Sequence, residues 1–117
     1  MDSSERHKLF IMKVAASKII WGLKSSDGWA TTPSREHKDR QVMPFWSERD
    51  DVATIAFEKW PSAQPTSIKL DVFMKLWLKS MPEDDILVGT NWSIDLEGTE
   101  VEPLELEKEI LEYMENS

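Results

Sequence analysis

Few residues in this 117-residue chain have the types and spacing that catalysis or metal binding requires. The two histidines, His7 and His37, belong to no H-x-x-x-H, H-E-x-x-H or H-x-E pattern, so we expect solvated surface histidines. The four glycines form neither G-x-G-x-x-G nor a P-loop, and no G-x-S-x-G motif occurs. The absence of cysteine excludes disulfides and thiolate metal sites. The sequence therefore predicts no catalytic residue, no metal and no cofactor.

The consecutive acids Glu83, Asp84 and Asp85 lack the alternating ligands and central glycine of a calcium loop. Three adjacent carboxylates cannot all turn towards one ion. We therefore expect a solvated turn after Pro82.

The polar residues that could bind a ligand or a partner stand next to tryptophans. Asn91 and Trp92 end an apolar run, and an amide beside an indole at the end of a sheet can fix a ligand or a neighbouring loop. The simpler alternative is core packing for Trp92 and a local turn bond for Asn91. Candidate binding residues are Asp27, Trp29, Trp46, Asn91 and Trp92.

Strand signals begin around the turn Ser26-Asp27-Gly28. Gly28 can take a positive φ, so Ile19–Lys24 and Trp29–Thr32 should pair as a hairpin. Val42–Trp46 should add a third strand, which would complete a three-stranded meander. Two later strands are predicted over Pro65–Leu70 and Ile86–Trp92.

Four helices are predicted between and around these strands. The first covers roughly Glu5–Ser17 and is capped by Ser3 or Ser4. The second begins at Ser47, in a capping signature, and should bury one side that includes Val52, Ala53, Ala56, Phe57 and Trp60. The third and fourth cover Val72–Met81, with Asp71 as cap and Trp77 in the core, and Leu104–Glu115, with Pro103 at the first position.

This order of elements indicates a single α+β domain, residues 1–117. We expect a mostly antiparallel sheet of about five strands, formed by the meander and the two later strands and packed against about four helices. The apolar half of the last helix should dock within the chain. Its members are Leu104, Leu106, Ile110, Leu111, Tyr113 and Met114.

The net charge of −8 lies almost wholly in residues 93–117, which hold nine acids against Lys108. Residues 1–92 are neutral, so a basic nucleic-acid interface is not expected. No apolar run is long enough for a membrane span, and the first ten residues lack the apolar run of a signal peptide. Together with the lack of cysteine, this leads us to expect a cytoplasmic protein. Glu105, Glu109, Glu112 and Glu115 form an acidic face that either contacts a cationic protein partner or only keeps the protein soluble.

Several short motifs resemble one family of proteins. These are Trp21-Gly22-Leu23, Asp27-Gly28-Trp29-Ala30, Met43-Pro44-Phe45-Trp46-Ser47, Ile68-Lys69-Leu70-Asp71-Val72-Phe73 and Val88-Gly89-Thr90-Asn91-Trp92. In this order, over about residues 19–92, the chain resembles the bacterial domain of unknown function numbered 2750. The resemblance implies a small bacterial cytoplasmic domain and supplies no activity, cofactor or catalytic residue.

Two functions follow as hypotheses. The first is a non-enzymatic interaction module that recognises a protein partner, because tryptophans are abundant and no catalytic set is visible. The alternative is a small-ligand-binding protein or small enzyme with a pocket at the strand ends, using Asp27, Asn91 and nearby tryptophans. A pocket with these residues would favour the alternative, and an apolar patch rimmed by charge would favour the module.

Overall fold

The computed structural model describes residues 1–116, which form an α+β fold with four helices and two sheets. Helix α1 is Ser3–Ser17, α2 is Arg49–Lys59 and α4 is Pro103–Glu115. Helix α3 consists of a turn Leu70–Val72, a π-helical turn Phe73–Trp77 and a last turn Leu78–Ser80. A 3₁₀ turn, Met81–Asp84, follows it at the place where the acidic turn was predicted.

Seven strands form the two sheets. The first sheet has the order β2-β1-β5 and the second has the order β3-β4-β6-β7. The strands are β1 (Ile19–Ser25), β2 (Gly28–Trp29), β3 (Thr32–Pro33), β4 (Gln41–Phe45), β5 (Gln64–Lys69), β6 (Ile86–Thr90) and β7 (Thr99–Val101).

The hairpin between β1 and β2 is confirmed. Lys24 lies opposite Trp29, and Gly28 closes the turn at a φ of 115°. The rest of the predicted meander is wrong, because β4 lies in the other sheet. Strand β4 pairs with β1 only through one bridge, in which Trp21 and Trp46 exchange backbone hydrogen bonds of 2.9 and 2.8 Å.

The prediction of one mostly antiparallel sheet of five strands is wrong as well. Strands β4 and β6 are parallel, with Val42 opposite Leu87, so the second sheet is mixed. Their connection contains α2, β5 and α3, and a long connection of this kind permits parallel pairing. Strand β7 falls in an acidic stretch with no strand pattern of its own.

Two helix caps differ from the sequence expectation. Helix α1 is capped by Asp2, not by Ser3 or Ser4, and Glu5 completes a capping box with it. Helix α2 begins at Arg49 after Glu48, without a side-chain cap. Ser47 is buried, and its hydroxyl bonds to Asn91 instead. Helix α3 likewise has no side-chain cap, although the Asp71 carboxylate accepts from the Val72 amide.

The sheets lie between helices. One core cluster joins α1, α3 and α4 to the strands, and the other joins α2 to the strands. The neighbours Leu87 and Val88 belong to different clusters, so β6 is buried on both faces, as in a parallel sheet covered by helices. Helix α2 buries Val52, Ile55 and Ala56 and leaves Phe57, predicted to be buried, 81% exposed.

Helix α3 places a set of aromatic rings against the sheet. Trp77 is half-buried, and its ring meets Trp29 edge-on at 4.8 Å and Phe45 at 5.8 Å. The Leu78 amide donates to the Phe73 carbonyl, five residues back, which defines the π turn. A 3.6-residue wheel therefore misplaces the side chains here, and Leu76 is exposed although it lies among apolar neighbours in the sequence.

Residues 93–116 of the acidic segment dock onto basic residues from the neutral part of the chain; Ser117 lies outside the described residues. Helix α4 buries Leu106 and Ile110 completely, which confirms that it docks within the chain. Three ion pairs hold the acidic segment: Arg35–Glu97, Arg40–Glu102 and Lys79–Glu107. In addition, His7 Nε2 forms a hydrogen bond with the Glu109 carboxylate.

The docking of α4 predicts unequal effects of two neighbouring truncations. Ile110→Ala should destabilise the fold by about 2–4 kcal/mol, because it leaves a cavity at a fully buried position. Leu111→Ala, the matched control at a side chain 46% exposed, should cost less than about 1 kcal/mol. Urea unfolding followed by circular dichroism measures both. Equal losses would contradict this docking.

The Arg40–Glu102 pair predicts a pH effect. Arg40 donates from both terminal nitrogens to the Glu102 carboxylate, at 2.9 and 2.7 Å, and these hydrogen bonds lower the pKa of Glu102. A lowered folded-state pKa adds stability above the unfolded pKa, and this stability is lost as pH falls through the folded pKa.

Glu102→Gln should therefore reduce the free energy of unfolding at pH 7 by up to about 1 kcal/mol, because the pair is half-exposed. The difference from wild type should shrink as the pH falls below about 4.3, the ordinary glutamate pKa, towards the lowered pKa of folded Glu102. Urea midpoints measured from pH 7 downwards follow it, and a difference that stays constant with pH would refute the role of this pair.

Candidate functional site

The structure brings together three of the five predicted binding residues. Trp46, Asn91 and Trp92 lie side by side just after β4 and β6, at the carboxyl ends of the parallel pair. Asp27 is exposed at the tip of the β1–β2 hairpin. Trp29 packs on Trp77 in the ring cluster of α3. The predicted set is thus divided between two places, and Asp27 is not part of a pocket with Asn91.

Asn91 is a buried joint between three segments. It is 7% exposed and takes a left-handed φ of 46°, which asparagine tolerates better than most residues. Its Oδ1 accepts from the Ser47 amide at 2.8 Å, and its Nδ2 donates to Ser47 Oγ at 3.0 Å and to the Arg6 carbonyl at 3.3 Å. The Asn91 amide group is therefore engaged in fixing neighbouring segments, one of the two roles that its position suggested.

The two indoles beside Asn91 are also engaged. Trp46 Nε1 donates to the Trp92 carbonyl, and Trp92 Nε1 donates to the Thr99 carbonyl, each at 3.0 Å. The Trp92 ring covers Gly89, where a Cβ would lie 2.5 Å from it, and it also covers Gly98. Glycine is needed at both places for this close approach.

His7 forms an arrangement that no sequence pattern indicates, and its prediction as a solvated histidine is wrong. Its Nδ1 lies 2.7 Å from Thr90 Oγ1, and its Nε2 lies 3.0 Å from Glu109 Oε2. A hydroxyl, an imidazole and a carboxylate in series resemble a nucleophile with its base and orienting acid. However, Thr90 has no exposed surface, so no substrate reaches its hydroxyl. The set ties α1 and α4 to β6.

A cleft of about 300 Å³ opens beside Asn91, between α1 and α2. Its lining includes Arg6, Asp51 and Ile55 in addition to the two indoles. The Arg6 guanidinium is directed to the Met1 and Glu97 carbonyls and to Ser3. Among residues 1–116, no group of three or more histidines and acids is placed to hold a metal.

A larger concavity lies elsewhere. A groove of about 720 Å³ runs between α4, the start of α3 and the ends of α1 and β5. We call it the aliphatic groove, and its apolar lining is Ile19, Leu70, Met74, Leu111 and Met114. A volume of this size and character is typical of binding pockets.

The sequence contains one signal for this groove. The apolar half of α4 spans six residues, more than one core-facing side of a helix requires. Only Leu106 and Ile110 of these six are fully buried, and Leu111 lies in the groove at 46% exposure. When the apolar half of a helix is wider than the part that the core can cover, the remaining apolar side chains form an exposed surface such as this groove.

The predicted acidic face is only partly free. Glu109 bonds to His7, whereas Glu105, Glu112 and Glu115 are exposed and form no ion pair within residues 1–116. No helix in this part of the chain is both long and apolar enough to cross a membrane.

These features define a small α+β protein with an aliphatic groove and a closed threonine–histidine–glutamate set. The chain belongs to the family described as protein of unknown function (DUF2750), whose model matches residues 7–110. This confirms the resemblance found in residues 19–92 and extends it to most of α1 and α4. No curated protein and no solved structure matches the chain.

The Asn91 joint predicts a graded series of stability losses. Asn91→Ala should cost about 3 kcal/mol, because buried partners at Ser47 and Arg6 lose their bonds and the left-handed backbone is strained. Asn91→Gly should cost about 1 kcal/mol less, since glycine removes only the strain. Denaturant midpoints measure the order.

The control for this series is Asp39→Ala. Asp39 also has a left-handed φ, 67°, but it is exposed. Its replacement should cost about 1 kcal/mol, the strain alone. Equal losses at positions 39 and 91 would show that the buried amide bonds contribute nothing.

Proposed function

We propose that this protein is a non-enzymatic interaction module of the bacterial cytoplasm that binds an apolar segment of a protein partner in the aliphatic groove. The carrying observation is the groove itself: Leu111, 46% exposed, lies in it among Ile19, Leu70 and Met74. An aliphatic surface surrounded by charged residues is the feature expected of a docking site. Cysteine-free composition favours the reducing compartment.

The geometry of the other candidates supports this choice over an enzyme. Thr90 is enclosed, so the His7 set lacks an accessible nucleophile. The Asn91 amide is engaged by Ser47 and Arg6, so it is not free to bind a ligand in the cleft beside it. In contrast, the groove needs only apolar contact for binding, and its lining supplies that contact.

The free acids of α4 offer a separate surface for a cationic partner. Glu105, Glu112 and Glu115 do not line the groove. The two surfaces can therefore be altered independently, and one experiment distinguishes them.

The test is affinity purification of the tagged full chain from its native host, with quantitative mass spectrometry and cross-linking to identify direct contacts. Wild type and three variants are compared. Leu111→Ser should reduce the captured partner at least about tenfold, because it removes an exposed apolar side chain from the lining of the groove. Phe57→Ser is the matched control: it changes a more exposed apolar residue outside the groove and should capture as much as wild type.

The third variant replaces Glu105, Glu112 and Glu115 with glutamine. A partner lost from this variant and retained by Leu111→Ser would assign binding to the acidic face. Capture unchanged by Leu111→Ser would disprove binding in the groove.

A further inference from the structure

The charged residues along the aliphatic groove are unevenly engaged. Three lysines line it: Lys18 at the end of α1, Lys69 at the end of β5 and Lys75 in α3. All three are exposed, and none forms an ion pair within residues 1–116. They come from the end of α1, from β5 and from α3, and none comes from α4.

The two acids that line the groove are already bonded. Glu107 accepts from Lys79 Nζ at 2.7 Å, and Asp71 accepts from the Val72 amide at 2.9 Å. The exposed acids of α4 do not belong to the lining. Among residues 1–116, the Asp71 charge has no cation paired with it, so the lining holds three unpaired lysines against one unpaired carboxylate. The local charge of the groove is thus positive, in a chain whose net charge is −8.

We propose that the partner segment recognised by the groove is an acidic amphipathic helix, with aliphatic side chains against Leu70, Met74 and Leu111 and carboxylates against Lys18, Lys69 and Lys75. This inference rests on the proposed function and specifies its partner. Helices dock in such grooves through apolar residues at i, i+3, i+4 and i+7, and the flanking residues then meet the groove edges. Positive edges select acidic flanks and reject basic ones.

The three groove lysines attract an acidic segment locally, although the protein as a whole is negatively charged. The net charge of −8 repels an acidic segment at long range, so the attraction arises only when the segment is in contact with the groove. Salt should therefore weaken the preference for an acidic segment while the apolar contacts persist.

The experiment uses three fluorescently labelled helical peptides that share one pattern of leucines at i, i+3, i+4 and i+7. The flanking positions carry glutamate, glutamine or lysine. Anisotropy titrations with the full chain at low salt should give about tenfold tighter binding for the glutamate peptide than for the glutamine peptide, since exposed ion pairs contribute modestly each. The lysine peptide should bind weakest. About 0.5 M salt should reduce the difference below threefold.

Charge reversals locate the effect. The triple variant Lys18→Glu, Lys69→Glu, Lys75→Glu should invert the order of the peptides. Lys8→Glu, Lys38→Glu, Lys59→Glu changes the net charge equally at exposed positions that do not line the groove, and it should keep the order. The single change Lys75→Glu, at an exposed position, repeats the test if the first triple variant does not fold.

The outcomes separate this inference from the proposed function. Equal binding of the glutamate and glutamine peptides, lost in Leu111→Ser, overturns the acidic partner and leaves the groove as a binding site. Equal effects of the two triple variants, or tightest binding of the lysine peptide, also overturn it. No binding of any peptide refutes the helical segment, and unchanged partner capture by Leu111→Ser refutes the groove as well.

Discussion

The amide of Asn91 holds together three segments that are distant in the sequence. It meets Ser47 after β4 and Arg6 in α1, and its own backbone amide donates to the Phe45 carbonyl at 2.9 Å. The parallel pair β4–β6 thus ends in one bonded unit, and the direction in which the chain leaves β6 is set there. The ring of Trp92, the next residue, occupies the space that is left because Gly89 and Gly98 have no side chains. A buried amide with all its partners present is stable, whereas an unsatisfied one is costly.

The polar groups whose arrangement resembles an active site therefore hold the fold together. An exposed apolar side chain of α4 lies in the aliphatic groove instead. His7, Thr90 and Glu109 complete bonds between α1, β6 and α4. Helix α4 has more apolar residues than its contact with the core requires, and the surplus lies in the aliphatic groove. This division follows from the packing of α4, since α1, α3 and β6 together cover only the side of the helix that carries Leu106 and Ile110.

Local signals predicted local structure well. The positive φ of Gly28, the span of α4 after Pro103 and the buried strand β6 follow from neighbouring residues, and each was correct. Long-range contacts decided the failures. Ser47 has the sequence of a cap, but its bond to Asn91 prevails because both groups are buried.

The candidate site divides in the same way. Asn91 and Trp92 were predicted as candidates because a polar and an aromatic residue are adjacent at the end of a strand. The structure places Trp46, another of the five candidates, beside them. The sequence could not indicate the contacts of His7, because its partners lie 83 and 102 residues away. Nor could a 3.6-residue wheel place the side chains of α3, since its π turn changes the spacing. The aliphatic groove could not be predicted either, because the sequence does not show which side of α4 is buried.

The bond between His7 and Glu109 also has a consequence for biosynthesis. The first helix of the chain is completed by the last, so Phe10 and Val14 cannot reach their final packing while α4 is still being translated. Such distant pairing has a high contact order, which slows folding. A nascent chain therefore carries an incompletely covered α1 until α4 has emerged, and until then the apolar face of α1 is open to chaperones.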